Sequence, residues 1–168
     1  NSSIYFRYYK YPPKKAMLIE TLKDLYDRDL KKLRTEIEGY NDEAAMWKIS
    51  GEIPNSGGNL ALHLVGNLKS FIGANLGDSG YVRQRDLEFS QKNTPRVELL
   101  QIIDETADVV ATTLDNLTPD QLEQVYPIVV FADRTEPMTT LWFLVHLATH
   151  LNYHLGQINY HRRLFDAE

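Results

Sequence analysis

Histidine is the residue type in this chain whose spacing carries the most chemistry. Five are present, and four of them (His146, His150, His154 and His161) recur at intervals of four, four and seven. On an α-helix, at about 100° per residue, these positions fall within a sector of roughly 80°. Imidazoles at i and i+4 point the same way and can grip one metal ion. Either His146 with His150 or His150 with His154 supplies such a pair. A third ligand must come from another element, and His63 is the only other histidine. Three neutral imidazoles with an open fourth position describe a catalytic zinc site more than a structural one. Imidazole also suits nickel, copper and iron, so ligand type alone does not select the metal. The bland alternative for each histidine singly is a hydrogen-bonded core residue. Cysteine is absent, which excludes disulfides and thiolate ligands. Any thiol chemistry must use a thiol that arrives with a substrate.

The elements that must position these residues follow from apolar periodicity. After Pro12–Pro13, the residues Met17, Leu18, Leu22, Leu25, Tyr26, Asp29 and Leu33 recur at helical spacing. They predict a first helix over about Lys14–Glu38, capped by Gly39. Asp29, the polar member, reads as a surface residue or as an acceptor for a ligand imidazole. A Gly- and Pro-containing loop spans Gly51–Gly58. A second helix starts between Ser56 and Asn59 and runs to about Asn75, with Leu60, His63, Leu64, Asn67, Leu68 and Phe71 on one face. Gly77–Asn93 reads as a long, partly ordered connection. Thr94 as cap and Pro95 at the first position open a third helix to about Asn116, with Val97, Leu100, Ile103, Ala107, Val110 and Leu114 inward. Thr118-Pro119-Asp120-Gln121 carries a capping-box pattern for a short helix. Tyr126–Phe131 is β-branched and aromatic, which favours extended backbone. A fourth helix begins at Thr139 or Thr140 and continues to about Phe165, its apolar stripe Leu144, Leu147, Leu151 and Ile158 adjoining the histidines. Trp47, Trp142 and Phe143 read as packing residues. The expectation is an all-α, up-down four-helix bundle with a long connection between helices two and three, in one domain over residues 1–168.

Bulk properties exclude several classes. The net charge is −5 and the pI about 5.5. Nucleic-acid binders carry a basic stripe, whereas Lys31–Lys32 and Arg162–Arg163 are short and stand among acids, so no nucleic-acid partner is expected. No apolar run approaches the roughly 18 residues of a membrane span. The aromatic and basic N-terminal stretch lacks the apolar core of a signal peptide, and a cytoplasmic protein is expected.

The stretch His146-Leu-Ala-Thr-His150-Leu-Asn-Tyr-His154-Leu-Gly156-Gln157-Ile158 resembles the C-terminal helix of the DinB/YfiT-like superfamily, with its HxxxH-x-GQI pattern. Gly58-Asn59-Leu-Ala-Leu-His63-Leu-Val-Gly66-Asn67-Leu68 is similar to that family's first-histidine motif. Arg83-Gln-Arg85-Asp86-Leu-Glu88-Phe89 is similar to the RxRxxEF connection of one branch. These motifs lie in register from about residue 40 to 165. The resemblance implies a four-helix bundle, a three-histidine site for zinc or nickel, and frequently a homodimer. Carried over, the ligands are His63, His150 and His154. The surplus histidines, His146 and His161, together with Gln157, are then candidates to orient a ligand or meet substrate.

Characterised relatives in the resembled family include thiol-dependent S-transferases and a thiol-dependent isomerase. The expected function is therefore a metal-dependent enzyme acting on a small molecule with a low-molecular-weight thiol. Gln157, Tyr153 and Asn67 read as helix-packing or surface hydrogen-bonding residues, or alternatively as polar groups near the metal. A metal-dependent hydrolase, or a non-catalytic metal-binding stress-response module closed by His146 as a fourth ligand, is the alternative. A purely structural bundle with hydrogen-bonded histidines is the third.

Overall fold

The computed structural model describes residues 14–166, so the Pro12–Pro13 signal lies outside the described residues. Within them the chain is all-helical. Helix α1 spans Lys14–Glu38, α2 Gly57–Leu68, α3 Arg85–Ser90, α4 Arg96–Asn116 and α5 Thr140–Phe165. Short 3-10 turns occupy Glu43–Trp47 and Gln121–Glu123. The only β-type pairing among the described residues is an isolated bridge between Val125 and Thr139.

Helix α1 packs against α4 and α5, and α2 packs against α3, α4 and α5. Their shared core is built from Leu22, Tyr26, Leu30, Leu33 and Ile37 of α1, Leu60, Leu64 and Leu68 of α2, Leu99, Ile103, Val110 and Leu114 of α4, and Phe143, Leu144, Leu147, Leu151 and Ile158 of α5. Polar ties fix the register. The Tyr26 hydroxyl donates to the Leu144 carbonyl at 2.7 Å. Glu36 accepts from Asn159 at 2.6 Å and from Arg162 at 2.8 Å. The Asp166 carboxylate accepts from the backbone N–H groups of Asn41 and Asp42 at 2.6 and 2.9 Å, clamping the end of α5 to the turn after α1.

Several sequence expectations need correction. Met17, Leu18 and Val97 are exposed, because Ile19 and Leu99 take the inward positions beside them. Helix α4 starts one residue later than expected: Pro95 is its cap, and Thr94 instead accepts from the Gln91 side chain at 2.9 Å. Gly39 donates to the Thr35 carbonyl at 2.9 Å but lacks the left-handed backbone of a glycine cap. The second helix does not run evenly to Asn75. After Leu68 it widens into a π-helical stretch over Lys69–Ala74 and regains α geometry only over Asn75–Gly77. The Tyr126 hydroxyl donates to the Phe71 carbonyl at 2.6 Å inside that widened stretch, and such segments are frequent at functional sites. The connection between the second and third long helices is not a loop throughout, since α3 lies within it. Tyr126–Phe131 forms no strand. The capping box after α4 does form: Gln121 Oε1 accepts from the Thr118 N–H at 2.7 Å and Thr118 Oγ1 accepts from the Gln121 N–H at 3.4 Å.

No described helix is long and apolar enough to cross a membrane.

Candidate metal centre

Two helices bring the central side chains together. Ser56 caps α2, its hydroxyl accepting from the Asn59 N–H at 3.2 Å. Thr139 caps α5 in the same way through the Trp142 N–H at 3.1 Å. The apolar stripes of both helices then face the core, and the histidines at their edges meet across the seam. The candidate ligand atoms of His63, His150 and His154 all lie within 4.8 Å of one another. His150 Nε2 stands 3.3 Å from His63 Nε2 and 3.1 Å from His154 Nε2. His63 is buried, while His150 and His154 are half-buried, so the cluster opens towards solvent on the α5 side.

The partners of these rings decide which nitrogens face inward. His63 Nδ1 lies 2.9 Å from Glu88 Oε2. A carboxylate only accepts, so Nδ1 carries the proton and Nε2 presents its lone pair to the cluster. His154 Nδ1 donates to Gln157 Oε1 at 2.6 Å, with the same consequence for its Nε2. His150 Nδ1 is buried without a partner. The lone pairs of His63 and His154 thus converge on His150 Nε2 at about 3 Å. With the His150 proton on Nδ1 the three Nε2 atoms form a donor set that fits a divalent cation; with it on Nε2, His150 donates within the cluster.

Glu88 is reached by a local construction. The Asn59 side-chain amide donates to the backbone carbonyls of Glu88 and Gln91 at 2.9 and 2.8 Å, pinning both ends of α3's last turn to α2. Gly66, one turn beyond Leu62 on α2, leaves the space in which the Glu88 carboxylate lies; a Cβ there would collide with it. Arg83 closes the network, its Nε and Nη2 donating to the two carboxylate oxygens at 2.7 and 2.8 Å. Burial pushes the Glu88 carboxyl up, but the hydrogen bonds from Arg83 and His63 outweigh it and hold the group below the ordinary carboxylate range. A buried, ionised carboxylate behind a ligand imidazole fixes its orientation and raises its basicity.

Burial is the leading cause that keeps the α5 histidines unprotonated. His150 is pushed down to about 4 by burial, with the neighbouring rings adding to it. His154 is lowered by burial, partly offset by its bond to Gln157.

The other nominated residues fall into different places. His146 stands outside the three-histidine cluster. Its ring stacks on Trp142 at 5.5 Å and on Phe143 at 5.8 Å, takes the edge of Phe131 at 5.1 Å, and lies 6.3 Å from His150. His161 is buried away from the cluster. Its Nε2–H donates to the Lys48 carbonyl at 2.9 Å, and its Nδ1 accepts from the Tyr40 hydroxyl at 2.7 Å. Asn67 is buried on α2 with its Oδ1 unpartnered. Tyr153 is exposed, edge-on to His154 at 5.2 Å. Asp29 is neither at the surface nor beside an imidazole. It is buried and bound by Arg28 at 2.8 Å and by Asn152 at 3.1 Å. Of the packing residues, Trp47 and Phe143 are buried but Trp142 is 41% exposed. The spacing of histidines carries no sign of Glu88 and Arg83. Their only sequence signal is the motif Arg83–Phe89, in a segment read as a connection.

No curated protein matches the chain. Among solved structures, one described as the crystal structure of the conserved protein of locus from Enterococcus faecalis superposes with a TM-score of 0.66. The match covers 89% of this chain and 97% of that one at 18% identity, a likeness of fold alone. A family profile described as a protein of unknown function matches residues 14–168, and the chain therefore belongs to that family, DUF1572.

Proposed function

We propose that this chain is a metal-dependent enzyme built on a DinB-like, up-down four-helix bundle, with His63, His150 and His154 holding one divalent ion, zinc or nickel. The observation that carries the reading is the convergence of three imidazole nitrogens within 4.8 Å, two of them aimed by Glu88 and Gln157. A bound ion of this kind supplies Lewis acidity, favouring the thiolate of a coordinated thiol or the hydroxide of a coordinated water. The protein has no thiol of its own, which agrees with a borrowed low-molecular-weight thiol and a thiol-dependent S-transferase reaction. Glu88 and Arg83 hold His63 in place, Gln157 holds His154, and the half-exposed His150 and His154 leave access for a small molecule. The same reading expects a homodimer and a cytoplasmic location; sedimentation analysis checks the first.

A non-catalytic module closed by His146 is less well supported, because His146 is held in an aromatic stack outside the cluster. Hydrolysis by the same centre is distinguished from thiol transfer by assay. The test is elemental analysis of untagged protein purified without added metal, beside the His63→Ala variant. About one metal per chain in the parent, lost in the variant, is the expected result. A parent that takes up no metal after reconstitution overturns the reading.

A further inference from the structure

The seam between α2 and α5 continues past the histidines. One turn from His63 on α2 stands Leu60, and one turn from His154 on α5 stands Gln157. Both line a groove of about 350 Å³ that runs on beside Tyr160 and Leu164 and is walled opposite by Ile53 and Pro54. Its volume lies within the range of small-molecule sites, and its walls are mostly apolar. Tyr160 and Leu164 are 78% and 60% exposed, although their neighbours on α5 include core residues. Helical rise puts the inner end of this groove about 5 Å along each helix from a cluster histidine. Gln157, which lines the groove, also accepts from His154, so the inner end of the groove adjoins the candidate metal centre.

We infer that the groove is the subsite for the apolar chain of an amphiphilic anion whose charged head meets the histidine cluster. This rests on the metal reading for the head and on the groove alone for the chain. Gln157 sits at the junction, its carbonyl oxygen engaged by His154. It is a positioning residue for the ligand as well as for the ring. A head that is anionic suits a centre where Arg83 already neutralises Glu88, so that a bound dication keeps its charge uncompensated.

The experiment is calorimetric titration of the full chain, metal-loaded and metal-free, with straight-chain carboxylates from acetate to octanoate. Affinity is expected to tighten about threefold with each added methylene until the groove is filled. Metal loading is expected to shift the whole series tighter without changing that slope. In Ile53→Asp and Leu164→Asp, both at exposed positions, the slope is expected to flatten while metal content and the binding of acetate persist. A flat series in the metal-loaded parent overturns the groove and leaves the metal centre standing. A rising series in a protein that takes up no metal supports the groove and sinks only the metal reading. A slope that survives both aspartate variants places the chain elsewhere and overturns the inference.

Discussion

Glu88 Oε2 lies 2.9 Å from His63 Nδ1, across a separation of 25 residues in sequence, and the contact exists because Gly66 has no side chain. A methyl at residue 66 must displace the carboxylate. Gly66→Ala is therefore expected to weaken zinc binding by about tenfold or more, with helical content retained. Glu88→Ala is expected to do the same and to leave Arg83 unpaired. Competition against a chromogenic chelator measures both. Unchanged affinity in the two variants would mean that the His63–Glu88 bond does not contribute to holding metal.

His146 separates a three-histidine centre from a four-histidine one. Its stack on Trp142 and Phe143 leaves it outside the cluster. His146→Ala is expected to keep the metal stoichiometry of the parent, while His150→Ala and His154→Ala lose it. Elemental analysis of the set decides this, and loss of metal in His146→Ala would show that His146 swings in as a ligand.

Acid sensitivity follows from buried imidazoles. His150, His154 and His161 all titrate below the ordinary value of 6.5, burial being the leading cause in each. As pH falls, the unfolded chain takes up protons first. The stability these groups contribute is thus complete above 6.5 and is lost as pH falls through that value towards the folded-state values, which reach about 4 for His150. Urea midpoints of metal-free protein are expected to fall on going from about pH 7.5 to about pH 5, and to fall less in His150→Gln. Metal affinity is expected to drop over the same acid range, since protons compete for the ligand nitrogens. A midpoint independent of pH would contradict this assignment.

The Tyr40–His161–Lys48 chain is structural and lies apart from the cluster. Tyr40→Phe removes the donor to a buried imidazole nitrogen and is expected to cost about 1–3 kcal/mol of stability. Metal content is expected to stay at the parent value. Thermal or urea unfolding gives the first quantity and elemental analysis the second. Loss of metal at unchanged stability would reverse the assignment.

Much of this protein was legible in its sequence because helical periodicity is a local property. The extents of the first and fourth helices, Lys14–Glu38 and Thr140–Phe165, follow from apolar spacing and from Thr139, whose cap needs only its own next three residues. The i, i+4 spacing of His150 and His154 placed them on one face, but equally placed His146. Only packing separates the two pairs: the rings of Phe131, Trp142 and Phe143 claim His146, and His63 reaches His150 and His154 across the seam. The burial of Asp29 also lay beyond periodicity, since Asn152, which donates to its carboxylate, comes from the facing helix α5, while Arg28 is its neighbour on α1. Glu88 shows the limit most clearly. A carboxylate in a polar connection has no periodic signature, and its role arises where Asn59, Gly66 and Arg83 meet in space. Sequence determined which residues had the chemistry and which helices carried them. The tertiary structure alone decided which of them meet, because a hydrogen bond or a shared ion requires distances of about 3 Å that only the packing of distant segments sets.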